Sequence, residues 1–243
     1  MAGAGTGSSA LLALLVSSPN VTFLKTERLG EGMWALQRAG LFTWKRRWEP
    51  ELPRDWGAAM RVWDNIWDPS KSVRVEKSPE WHIPGRMERI LDYFKGSKRS
   101  VGLLFMSRSS CYRAAALNGH EQNYPCHDIQ SMLLHAVYAV RKANIRWTMV
   151  AYEDLLRDPY VVAAHILRAF PEIGLINPNA QSPQVWHHGR NRHSSKSIVQ
   201  YILAHETFQN SNHTTSAQAM LDSCLGYDQG GQGGPETDSA ASE

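Results

Sequence analysis

Glu76-Lys77-Ser78-Pro79 sets an ammonium and a hydroxyl side by side, directly after a short alternating run at residues 72–76. A lysine at such a place can stabilise negative charge on an oxygen that departs from phosphorus or sulfur. Met106-Ser107-Arg108 puts a guanidinium immediately after the continuous apolar run 101–106, and a guanidinium grips phosphate oxygens through paired, charge-assisted hydrogen bonds. Near the start, Gly5-Thr6-Gly7-Ser8-Ser9 precedes the apolar stretch 10–16. A glycine-rich turn that opens a helix offers backbone N–H groups and the positive end of the helix dipole to an anion. His188-Gly189-Arg190-Asn191-Arg192-His193 adds a second basic, glycine-containing loop. The chemistry common to these four segments is the binding of a phosphorylated ligand. Each segment also has a plain reading: Lys77 as a solvated lysine at a strand end, Arg108 as a helix-capping residue, the glycines as a fraying terminus.

The elements that must position these residues alternate along the chain. Residues 8–18 read as a helix with Ser8 or Ser9 near its N-cap, followed by a turn at Ser18-Pro19-Asn20 and a short apolar strand at 21–24. Residues 34–67 are dense in Trp and Arg and show no clean period. A strand at 72–76, a helix at 83–94 and a buried strand at 101–106 follow. Next come a helix from about residue 111, a loop around Tyr124-Pro125 and a helix at 128–142. A second buried strand at 147–151 then leads to a helix at 159–170 that begins at Asp158-Pro159. Apolar strands separated by helices predict an α/β fold, a parallel β-sheet flanked by helices on both faces. Ligands of such sheets gather beyond the carboxyl ends of the strands, where Lys77, Arg108 and Tyr152-Glu153-Asp154-Leu155 all fall.

Size and charge agree with one domain. A chain of 243 residues, 42% hydrophobic, can bury a single sizeable core. Residues 1–225 are expected to form it, with a glycine-rich, acidic, disordered tail at 226–243. All 26 Lys and Arg residues lie at or before Lys196, and six of the 23 acidic residues lie beyond it. The body is therefore basic and suited to an anionic partner. Cys111, Cys126 and Cys224 are too few and too scattered for a metal site or a disulfide framework; in a luminal protein one pair could be bridged, with Asn20 and Asn212 as glycan acceptors. Residues 1–24 carry no charged side chain, so they lack the basic start of a secretory signal and are expected to hold an anion-binding loop instead.

In order and spacing these motifs resemble the sulfotransferase family, closest to the branch that acts on heparan sulfate and other carbohydrates. The resemblance covers roughly residues 5–195. It implies a P-loop NTPase-like sulfotransferase fold and a co-substrate, 3'-phosphoadenosine 5'-phosphosulfate, with no metal. The loop that binds the 5'-phosphosulfate corresponds to Gly5, Thr6, Gly7, Ser8, Ser9 and Ala10, continuing into Leu11 and Leu12. The family's catalytic glutamate falls on Glu27, within Lys25-Thr26-Glu27, and its catalytic lysine on Lys77. Arg108 corresponds to the arginine that binds the 3'-phosphate, and Gly189 and Arg190 to the loop that closes over that phosphate and the adenosine. A glycan or other hydroxyl-bearing acceptor is the implied partner, nucleic acid is not, and the Golgi lumen is the implied location of a full-length form.

The expected reaction passes a sulfuryl group in line from a phosphate oxygen to a hydroxyl or amine. Glu27 would take the acceptor's proton; without the resemblance it reads as a surface acid paired with Lys25 or Arg28. Lys77 would stabilise the departing phosphate, and Arg108 and Arg190 would clamp the 3'-phosphate. The chain departs from the family pattern in three places. Gly5 stands where a basic residue is usual, and Ala116 stands where a serine normally assists Arg108. Only four residues precede Gly5, so the chain is expected to be N-terminally shortened and to lack the first strand of the sheet, along with any membrane anchor. A catalytically degenerate relative that binds anionic glycans is the alternative. A P-loop kinase is disfavoured because the G-x-x-x-x-G-K-[ST] lysine is absent. The tryptophans Trp34, Trp44, Trp48, Trp56, Trp63 and Trp67, interleaved with Lys45, Arg46, Arg47, Arg54 and Arg61, could stack on sugar faces or belong to the core.

Overall fold

A computed structural model describes residues 8–25, 30–43, 46, 49–78, 81, 83–107 and 126–180. Within them the order is α1 (Ser8–Val16), β1 (Val21–Phe23), α2 (Gly32–Arg38), α3 (Trp56–Asp64), β2 (Val73–Val75), α4 (Arg86–Lys95), β3 (Gly102–Ser107), α5 (Cys126–Lys142), β4 (Arg146–Ala151), α6 (Tyr152–Arg157) and α7 (Pro159–Ala169), followed by a 3-10 turn at Pro171–Ile173.

The strands form two parallel pairs. β1 lies along β2 with Val21 opposite Val73 and Phe23 opposite Val75. β3 lies along β4 with Leu103 opposite Trp147, Phe105 opposite Met149 and Met106 opposite Val150. Parallel neighbours need a crossover connection; here α2 and α3 link the first pair and α5 lies between the strands of the second. The sequence predicts one sheet, and the described residues hold two separate pairs.

The two pairs nevertheless share their cores. One apolar cluster combines Val21, Phe23, Val73 and Val75 with Leu104, Met106 and Val150, under α1, α6 and α7. The other takes the alternate side chains Leu103, Phe105, Trp147 and Met149, together with Leu24, and is roofed by α2, α3, α4 and α5. Strands apolar on both faces require helices on both faces, and that is the arrangement found. α1 (SSALLALLV) is apolar all round, and Ala10 through Leu15 are all buried; such a helix belongs in the interior.

Helix boundaries follow local chemistry. Asp158 caps α7, accepting from the backbone N–H groups of Tyr160 and Val161 at 3.0 Å each, and Pro159 occupies the first turn, where its missing N–H has no cost. Asp55 caps α3 by accepting from Ala58 N at 2.9 Å. The helix expected at 83–94 begins later, at Arg86, because the Gly85 amide is taken by the Glu88 carboxylate at 2.6 Å. Residues 152–155, expected only as a strand end, open α6.

Candidate functional site around Lys77

Lys77 directly follows Glu76, at the carboxyl end of β2, and is fastened there at both its backbone and its side chain. Its backbone N–H donates to Gly30 O at 3.2 Å. Its ammonium pairs with Glu31 at 2.9 Å, with the two side chains only 12% and 16% exposed. At that burial the pair is weakly screened by salt. Beside it, the Glu76 carboxylate accepts three donors: Gly32 N at 2.8 Å, the Ser78 hydroxyl and the Trp81 indole N–H.

The turn Gly30-Glu31-Gly32 requires its glycines for two different reasons. Gly30 has φ +77°, and a Cβ there would stand 2.6 Å from Leu12 Cδ2 of α1. Gly32 has room for no side chain at all: a Cβ would lie 2.7 Å from Glu76 Cγ and 2.8 Å from Trp63 Cε2. The same contacts show how closely the segments meet. Leu12, one turn into α1 from Ser8, touches Gly30, and Gly30 is bonded to Lys77.

The tryptophans hold this assembly. Trp63 stacks edge-on with Trp56, Trp67 and Trp81 at centroid distances of 6.5, 5.9 and 5.7 Å. Trp63 Nε1 donates to Gly32 O at 3.0 Å and Trp67 Nε1 to Val75 O at 3.1 Å. With Trp81 on Glu76, three indole N–H groups converge on the end of β2 and the turn beside it. A buried indole needs such an acceptor. Trp56, Trp63 and Trp67 are all at most 7% exposed, so burial assigns them to the core rather than to a sugar platform, although the Trp56 indole N–H has no acceptor among the described residues. Arg61 stays outside, with its side chain 72% exposed.

A second charge network ties the end of α3 to β2 and to Arg99. Asp64, at the end of α3, binds Arg74 Nη1 at 2.7 Å and Arg99 through both of its oxygens, at 3.0 and 2.5 Å. The Arg99 hydrogen bond holds the Asp64 carboxyl below its usual range, and Asp64 in turn raises Arg99.

Of the residues expected to form a site, Ser8, Ser9 and Ala10 begin α1 and Lys77 follows β2. Ala10 is buried, so only its backbone could serve a ligand. Gly5, Thr6, Gly7, Glu27, Arg108, Gly189 and Arg190 lie outside the described residues. Ser107, the last residue of β3, is buried and its hydroxyl has no hydrogen-bond partner among the described residues. Sequence reasoning assigns no role to Glu31, Glu76 or Trp81. The local signals are the pair of glycines flanking Glu31 and the nearness of Ser78 and Trp81 to Glu76; the bonds from Lys77 to Glu31 and from Gly32 to Glu76 span 46 and 44 positions of sequence. Among the described residues, no cluster of three or more His, Cys, Asp or Glu side chains could hold a metal ion, and no helix is long and apolar enough to cross a membrane.

Comparisons with protein-family models, with curated proteins and with solved structures find no significant match.

Proposed function

We propose that this protein is a sulfotransferase of P-loop-like fold that moves a sulfuryl group from 3'-phosphoadenosine 5'-phosphosulfate to a hydroxyl or amine of a carbohydrate acceptor. The observation that carries the reading is the contact chain from α1 through Gly30 to Lys77. Leu12, one helical turn from the Ser8 and Ser9 hydroxyls, packs on Gly30, whose carbonyl accepts the backbone amide of Lys77, and the Lys77 ammonium is itself largely buried. The Ser107 hydroxyl, one residue before Arg108, supports it further: it is buried and has no partner among the described residues, which leaves its hydrogen-bonding capacity open to a ligand.

In this reading Glu27, three residues before Gly30, takes the proton of the attacking acceptor. The bond from sulfur to the donor's phosphate oxygen breaks as the bond from sulfur to the acceptor forms. Lys77, with the N–H groups at the start of α1, stabilises the charge left on the phosphate. Arg108 and Arg190 hold the 3'-phosphate. The basic body would attract both the polyanionic donor and an acidic saccharide.

The test is transfer of labelled sulfate from the donor to a panel of glycans, small alcohols and tyrosine peptides. Glu27→Gln is expected to lower turnover by about 10²- to 10⁴-fold while leaving donor affinity nearly unchanged. Equal loss of both would make Glu27 structural, and binding of sulfated glycan with no transfer to any acceptor would favour a glycan-binding module.

A further inference from the structure

We infer that Glu31 is the positioning residue of Lys77, holding its ammonium at the end of β2 while a negatively charged oxygen of the donor binds the same group; the inference rests on the sulfuryl-transfer reading. A lysine side chain is a flexible four-carbon stem carrying three N–H donors. Left to itself, it would have to be immobilised anew for each turnover. Glu31 supplies a fixed counter-group, because the residues on both sides of it are pinned. Gly30 O accepts the Lys77 amide at 3.2 Å. Gly32 N is bound by Glu76 at 2.8 Å, and Gly32 O by Trp63 at 3.0 Å. The carboxylate therefore stands on a rigid turn and reaches the ammonium at 2.9 Å. Only one of the three N–H donors is needed for that bond, so the lysine can hold Glu31 and an anionic oxygen together.

The experiment compares wild type with Glu31→Gln and Glu31→Asp by two readouts. The first needs no activity: the full-length protein is treated with sulfosuccinimidyl acetate, and acetylation of Lys77 is followed by peptide mass spectrometry, with the exposed Lys95 as internal reference. Lys77 should label much more slowly than Lys95 in wild type, several-fold faster in Glu31→Gln, and again slowly in Glu31→Asp, which keeps the charge. The second is steady-state transfer. Glu31→Gln should lower kcat on the order of 10²-fold through misplacement of the lysine, with the donor KM little changed and most of kcat regained in Glu31→Asp. Glu31→Ala, which leaves no unpaired amide, replaces the Gln variant should that fail to fold.

Equal labelling of Lys77 in wild type and the charge-removed variant, or a kcat unaffected by losing the charge, would overturn the inference. A wild-type protein that transfers no sulfate would instead overturn the sulfuryl-transfer reading. The labelling difference would then still report whether Glu31 holds Lys77.

Discussion

The Lys77 ammonium and the Glu31 carboxylate meet at 2.9 Å across 46 positions of sequence, with little of either side chain in water. Taking one partner from such a pair leaves the other charge less compensated, whereas removing both leaves no charge of the pair to compensate. Lys77→Met and Glu31→Leu should therefore each destabilise the fold by more than the double variant's share. A double-mutant cycle in urea should show a coupling of about 0.5–3 kcal/mol. Additive losses would mean that the two groups do not stabilise one another.

Glu76 does different work from its neighbour. Its carboxylate faces three donors, so Glu76→Gln, nearly identical in shape, must turn an NH2 group toward at least one N–H or O–H. The expected loss is about 1–3 kcal/mol, read as a lower denaturation midpoint with an unchanged m-value. A neutral result would show that the turn at 30–32 does not depend on this carboxylate.

Gly32→Ala should destabilise by about 1–3 kcal/mol, the cost of overpacking, because the added methyl meets Glu76 and Trp63 well inside contact distance. Gly96→Ala is the matched control. Its Cβ would have 3.7 Å of clearance at φ −82°, so that variant should be neutral or slightly stabilised. Equal thermal shifts for the two would contradict the packing described around Gly32.

The order in which sequence signals succeed follows from how local they are. β3 and β4 announce themselves as apolar runs because both of their faces are covered, and α7 announces itself through Asp158-Pro159, a cap and first turn adjacent in the chain. In α3, Trp56, Ala59, Met60 and Trp63 recur at helical spacing and are buried. The 34–67 stretch as a whole shows no period because α2 and α3 are short, separate helices whose phases are unrelated. Lys77 is legible from its motif and its place after a strand. Its partner Glu31 is not, nor is the donation from Trp81 and Trp63 into the same turn, because these contacts arise only when α2, α3 and β2 pack. That the described residues hold two strand pairs is likewise a matter of pairing between distant segments, which periodicity does not encode.

Stability in acid should depend on Asp64. Its folded carboxyl is held below the ordinary value of 3.8 by Arg99 first and Arg74 second. A depressed carboxyl stabilises the fold above the unfolded-state pKa, and that contribution is lost as pH falls through the folded-state value. With side chains about one-third exposed, the contribution is on the order of 1 kcal/mol. Asp64→Asn should therefore be less stable than wild type at pH 7, and the gap should close as pH falls below about 4. A gap that stays constant down to pH 3 would exclude the ion pairs as its cause.

The central proposal is that the chain holds a doubly phosphorylated adenosine between the start of α1, Lys77, Arg108 and Arg190. Titration calorimetry of the folded wild-type protein with 3',5'-adenosine bisphosphate tests it most directly. Binding that weakens as salt is raised and is abolished by Arg108→Ala is the predicted result. No binding by the folded wild-type protein, or binding indifferent to Arg108, would contradict it.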